Sequence, residues 1–316
     1  MESAPIEELK PGHNFAIPAK LVLLLLVLAI FMGYLLGGAV SALVAYASHR
    51  EMASLLSGFG ENSPYADRQM LRWVSLLSHF VSFTVPALFV AIFLYRKNWL
   101  RELRLHIPPK WKAATLSILF ILVSFPFAQS IYWLNRHLPL PEWMSSMEGD
   151  VSDLIKGLMV MNSPGELLFN LLVVAIAPAI GEELVFRGFL QRQFYRLVPS
   201  PGMAVWITAF LFSAIHLQFE GFLPRLMLGA MLGYLFLWSK NLWIPILAHF
   251  FFNGIQVLGQ YFAADKLEAL DTAQSDNPHW VAGIISLILM IMAGYSIYRY
   301  FVLSDNQEDI ENEPSL

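Results

Sequence analysis

The chain has 316 residues, of which 20 are Lys or Arg and 24 are Asp or Glu, for a net charge of −4. Charged side chains make up 14%, apolar ones 57% and the mean hydropathy is +0.55, whereas a soluble domain carries about 25% charge. Too little charge to coat a globule, too much apolar residue for a disordered chain and no basic run to face nucleic acid leave an all-α integral membrane protein, a polytopic transmembrane helical bundle. With no cysteine, disulfides, thiolate zinc sites and cysteine nucleophiles are excluded.

Each spanning helix takes about 20 apolar residues, so the chain has room for about eight. Residues 1–20 form an N-terminal segment expected in the cytoplasm. The run 21–47 is uncharged. Its Ala45-Tyr46-Ala47 has the look of a signal-peptidase site, but the run is far longer than the roughly 7–15 residues of a cleavable apolar core, and an uncleaved span is expected. Further spans are expected at 73–95, 113–134, 167–180, 205–219, 222–238, 242–261 and 280–302, the fourth running into a polar stretch and the sixth short. Between 150 and 161, Val151, Leu154, Ile155, Leu158 and Met159 recur at helical spacing. They predict a short amphipathic helix on the outer interface or against the bundle, with Asp150 placed to cap it. Residues 21–303 thus form one bundle, and the acidic tail 304–316 reads as disordered. Gly33-x-x-x-Gly37 and Gly229-x-x-x-Gly233 suit close helix packing, or are glycines that a membrane helix merely tolerates.

Basic residues orient the bundle. With the N-terminus inside, 13 of them fall on the cytoplasmic side, dominated by the cluster between Arg96 and Lys112, and 7 outside, among them Arg68, Arg72 and Arg225. Both termini are therefore expected in the cytoplasm, in a cell membrane such as the bacterial inner membrane. Trp73, Tyr95, Trp111 and Trp280 read as an interfacial belt, and Arg192 and Arg196 as inside anchors.

A charged residue at bilayer depth costs at least about 2.5 kcal/mol and marks function by default. Three places qualify: Glu182 and Glu183 with Arg187, His216, and His249 with Asn253. Residues four apart share a helix face, so Glu183 and Arg187 form an ion pair. Glu182 is turned about 100° away and needs a partner from another helix. His249 and Asn253 present an imidazole and an amide to one point. A glutamate that deprotonates water, a histidine that holds it, and an imidazole and amide that stabilise an oxyanion make a set for hydrolysis. Imidazole and carboxylate also ligate zinc, which leaves a divalent metal on Glu182, His216 and His249 open, although no His-Glu-x-x-His motif is present. No Gly-x-Ser-x-Gly elbow supports a serine hydrolase. His79, flanked by Ser78 and Ser82, reads as a packed and hydrogen-bonded residue, and His13, His49, His106, His137 and His279 belong to loops or interfaces.

Glu182-Glu183-x-x-x-Arg187, Phe212-x-x-x-His216 and His249-x-x-x-Asn253 together resemble, in order and spacing, the three signatures of the CAAX protease and bacteriocin-processing (ABI) family, which includes the type II CAAX prenyl endopeptidases. The resemblance covers residues 167–261 and implies a catalytic core there, in an intramembrane endopeptidase. It implies Glu182 as the base, aided by His216, and His249 with Asn253 as the oxyanion site. Glu183, Arg187 and Phe212 are implied as supporting residues. The implied partners are the bilayer and a membrane-embedded or lipidated protein or peptide. The glutamate type is favoured over the zinc type because Asn253 is a poor zinc ligand and a good oxyanion donor. The rival class is a non-proteolytic membrane protein: an immunity or scaffold partner, or a transporter using the same residues as a proton relay, for which inverted repeats would be expected and none is seen.

Overall fold

A computed structural model describes residues 17–49, 51–56, 58–274 and 280–303. The expectations for the first 16 residues, for His279 and for the acidic tail lie outside the described residues. Those described are helical and contain no strand. In chain order the principal helices are α1 (Ala19–Ala47), α2 (Tyr65–Glu102), α3 (Trp111–Arg136), α4 (Glu142–Met159), α5 (Pro164–Leu197), α6 (Pro201–Ala214), α7 (Phe222–Ser239), α8 (Trp243–Gln274) and α9 (Trp280–Val302).

Six of these, α1, α2, α3, α5, α7 and α9, are long and apolar enough to cross a membrane, and the protein is an integral multi-pass membrane protein. The sequence expectation of about eight counted two more, and the difference has a physical cause in each. Helix α6 has 14 residues, about 21 Å at 1.5 Å per residue, short of the roughly 30 Å hydrocarbon core. Helix α8 carries His249, Asn253, Gln256 and Gln260 along its apolar run, and its backbone leaves helical geometry at Ala263 (φ −145°, ψ 29°).

Burial sorts the helices into shells. Only 22% of the apolar stretch of α1 and of α9 is buried, against 50% in α5 and in α7. On α1 the large side chains Leu24, Leu28, Phe31 and Leu35 are exposed while Leu26, Gly33 and Gly37 are buried. The outer helices thus turn apolar bulk to lipid and small residues inward, as membrane packing requires. A Cβ on Gly33 would stand 2.6 Å from the Val81 carbonyl oxygen, and one on Gly37 3.1 Å from Ser82 Oγ. Gly33 is therefore needed for α1 to lie against α2, and Gly37 leaves room for Ser82. The second pair seats α7 on α5 and α6: a Cβ on Gly229 would meet Ala209 at 3.0 Å, and one on Gly233 would meet Val205 at 2.8 Å and Gln191 at 3.0 Å.

Two π-helical turns have a common origin. Phe80–Thr84 in α2 and Leu171–Ile176 in α5 each precede a proline, Pro86 and Pro178, at the start of the next helical segment. Proline has no N–H to give and crowds the carbonyl four residues back, so the ladder is rewired there. A third, Leu184–Gln191, begins directly after Glu183.

The amphipathic helix exists but starts earlier than its apolar periodicity suggested. It begins after Pro141, so Asp150 falls in its interior and does not cap it. Arg68 and Arg72, expected among outer loop charges, lie in α2, 6% and 0% exposed. They meet Glu166 and Asn170 of α5: Arg72 donates to Glu166 Oε1 at 2.7 Å and to Asn170 Oδ1 at 2.8 Å, and Arg68 donates to the same Glu166 oxygen at 3.1 Å. Arg72 and Asn170 also donate to the Leu158 carbonyl at the end of α4, at 3.0 and 2.8 Å. Two residues four apart on each helix thus rivet α2, α4 and α5. Arg192, expected as an inside anchor, is also buried and is bonded to the backbone and side chain of Glu102.

Candidate active site

The central helix α5 carries the acidic pair, and the 100° step between consecutive helical residues sends the two carboxylates to different neighbours. Glu183, fully buried, receives Arg187 Nη1 on Oε1 at 2.7 Å and His249 Nδ1 on the same oxygen at 2.9 Å. The expected ion pair is present, and His249 joins it instead of Glu182. Arg187 also donates from Nη2 to the Gly229 carbonyl at 2.7 Å, and Gln191, one turn on, donates to the Gly233 carbonyl at 2.9 Å. The missing Cβ atoms of that glycine pair leave these carbonyls open to side chains from α5.

Glu182, 6% exposed, faces two other histidines. His79 Nε2 of α2 stands 3.4 Å from its Oε1, and His216 Nε2 stands 4.0 Å from its Oε2. The His216 ring is fixed from behind by Nδ1, 2.7 Å from the Phe212 carbonyl. A carbonyl only accepts, so Nδ1 carries the hydrogen and Nε2 of the neutral ring is an acceptor. Phe212 is the hub between the two carboxylate clusters. Its ring centre lies 5.2 Å from that of His216 and 5.8 Å from that of His249, and the Arg187 guanidinium sits over its face at 5.0 Å.

Asn253 is anchored by the defect in α5. In a regular helix the Val174 carbonyl would accept from the N–H of residue 178, which is proline; Asn253 Nδ2 donates to it at 2.9 Å instead. The same nitrogen lies 3.3 Å from His249 Nε2. With Nδ1 donating to Glu183, His249 Nε2 is the acceptor of that contact. Both amide hydrogens of Asn253 are therefore engaged inside the protein in this arrangement, and neither is free for an oxyanion.

The expected residues Glu182, Glu183, Arg187, Phe212, His216, His249 and Asn253 are thus gathered where α5, α6 and α8 meet. His79 is the addition that sequence reasoning passed over. Its signal was the one that singled out the other two histidines: an ionisable ring inside an apolar span.

Among the described residues, no group of three His, Asp or Glu side chains is arranged to hold a metal. His249, the third donor considered, has Nδ1 on Glu183 and Nε2 beside Asn253. Access lies at His216, whose side chain is 27% exposed against 8% for Glu182. The connection after α6 that carries it is pinned from outside. Glu148 of α4 accepts from the N–H groups of Phe219 and Glu220 at 2.6 and 3.2 Å, and Asn135 of α3 donates to the Phe219 carbonyl at 2.8 Å. A cavity of about 330 Å³ lined by Leu55, Phe59, Glu61 and Asp67 belongs to the connection between α1 and α2 and touches none of these residues.

Residues 164–255, which carry all three motifs, match the family model of the type II CAAX prenyl endopeptidases, Rce1-like. The uncharacterized protein YpbD of Bacillus subtilis (strain 168) is 22% identical over 191 residues, covering 58% of this chain and 85% of that protein. No solved structure matches. The family resemblance read from the three motifs is borne out over the matched segment. The match supports a CAAX-type intramembrane protease as the class to which fold and site point.

Proposed function

We propose that the protein is an intramembrane endopeptidase that cleaves a membrane-associated, lipidated protein or peptide with water activated by Glu182. The observation that carries this reading is the pair of acceptors Glu182 Oε2 and His216 Nε2 at 4.0 Å. That distance is too long for a direct bond, and both atoms need a hydrogen. One water fits between them with a hydrogen to each. Glu182 takes one proton as general base, and the water oxygen attacks the scissile carbonyl carbon. The proton on Glu182 then passes to the leaving nitrogen, so that the peptide bond is replaced by a carboxyl group and an amine.

The oxyanion falls to His249 and Asn253. His249 Nδ1 stays on Glu183, itself paired with Arg187, which fixes the angle of the imidazole. When the Asn253 amide turns from His249 Nε2, its N–H donates to the oxyanion, and His249 with a proton on Nε2 gives a second donor. Phe212 holds the two histidines at a fixed separation. Because the matched family is named for prenyl endopeptidases, a prenylated polypeptide is the substrate to try first. The apolar bundle surface suits a chain that arrives from within the bilayer.

The test uses purified protein in liposomes and a fluorogenic peptide bearing an isoprenylated cysteine. Glu182→Gln keeps the shape and removes the base. Its cleavage rate is expected to fall at least about 100-fold with the helical content unchanged, and cleavage at the wild-type rate would overturn the reading.

A further inference from the structure

We propose that His79 is a positioning residue that assigns the two oxygens of Glu182 to different tasks. The inference rests on the reading of Glu182 as the base. His79 Nε2 lies 3.4 Å from Oε1, while Oε2 faces His216. A carboxylate only accepts, so Nε2 carries the hydrogen. The N–H then holds Oε1, and Oε2 is the oxygen left for water.

The local structure is built for that contact. The His79 ring stacks on Phe83 with centroids 4.8 Å apart and planes 12° from parallel. A Cβ on Gly181, next to Glu182, would lie 2.8 Å from His79 Cε1 and 2.8 Å from Thr84 Oγ1. Only glycine there lets α5 approach α2 closely enough. Behind the ring, the π-helical turn Phe80–Thr84 packs against Gly33 and Gly37 of α1, so that α1 backs the histidine.

The other ring nitrogen separates this role from simple packing. Nδ1 is buried and has no hydrogen-bond partner among the described residues. An orphaned buried acceptor costs free energy that a phenylalanine or leucine at this place would avoid. The polar ring is retained for its other nitrogen, the one on Glu182.

Without the N–H, the Glu182 carboxylate turns about its last side-chain bond and Oε2 is no longer reserved for water, while the surface that meets substrate is unchanged. The experiment measures kcat and KM of His79→Phe, His79→Gln and His79→Asn in liposomes beside Glu182→Gln. His79→Phe keeps the stack on Phe83 and loses the donor; kcat is expected to fall about 10- to 100-fold with KM within about twofold. Glutamine places an amide N–H at nearly the reach of Nε2 and is expected to restore most of kcat. Asparagine, one methylene shorter, falls short of Oε1 and is expected to stay as slow as phenylalanine. If His79→Phe does not fold, the contrast between glutamine and asparagine carries the test. Wild-type kcat in His79→Phe, equal rates for the two amides, or an effect confined to KM would overturn the positioning role while Glu182→Gln stays inactive. Wild-type cleavage by Glu182→Gln would instead overturn the base itself.

Discussion

Two adjacent glutamates, changed to the same isosteric amide, are expected to fail in opposite ways. Glu183 is fully buried, and its Oε1 receives both Arg187 at 2.7 Å and His249 at 2.9 Å. In Glu183→Gln, Arg187, which is itself fully buried, keeps its bond to the Gly229 carbonyl but loses the only negative charge within ion-pair distance among the described residues. Removing one partner of a buried pair costs about 3–5 kcal/mol, because the other charge stays behind uncompensated. At roughly 2–4 °C per kcal/mol for a chain of this size class, the unfolding midpoint should drop by about 10 °C. Glu182→Gln breaks no contact with an arginine, since its partners within ion-pair distance are histidines, and the glutamine oxygen still accepts from His79. The assay is thermal unfolding of both variants in the same detergent, followed by intrinsic tryptophan emission, with cleavage measured below the lower midpoint. A Glu183→Gln protein as stable as wild type, or a Glu182→Gln protein destabilised to the same degree, would refute the division of labour between the two carboxylates.

Two other consequences are open to measurement. Glu166→Ala strands Arg68 and Arg72 in the outer rivet and should cost about 3–5 kcal/mol in the same unfolding assay, while kcat per folded molecule stays at the wild-type level because no site residue touches Glu166; a proportional loss of kcat would tie the rivet to the chemistry. Cleavage should persist after exhaustive chelation, because both ring nitrogens of His249 are engaged within the protein; loss on chelation with recovery on added zinc would make Glu182 and His216 ligands instead.

Much of the site was legible because charge is so scarce in the spans: each ionisable residue among them was an exception with a cost. Spacing then gave the Glu183–Arg187 pair and the common direction of His249 and Asn253. Spacing could not say which neighbour each carboxylate meets, and His249 proves to belong to Glu183. His79 was passed over because Ser78 and Ser82 offered it a local explanation. In the fold Ser78 turns to α1 instead, 3.0 Å from Ser41 Oγ, and the histidine is left to Glu182. The rivet of Arg68 and Arg72 with Glu166 and Asn170 has the same i, i+4 pattern on both helices, yet nothing local shows that those two helices face each other. The six helices long and apolar enough to cross differ from the eight expected spans at α6, which is short, and at α8, which carries His249 and Asn253.

Pro178 places a trade-off on one atom. Its missing N–H leaves the Val174 carbonyl open, and Asn253 of α8 closes it at 2.9 Å. Alanine at position 178 would restore an N–H to this segment, let α5 close into a more regular rod and compete with the tie that aims Asn253. Variants selected only for heat resistance would therefore be drawn to this position, and would gain a stiffer bundle at the expense of turnover. On the proposed mechanism the irregularity of α5 belongs to the machinery, and an idealised redesign of this bundle would have to keep it.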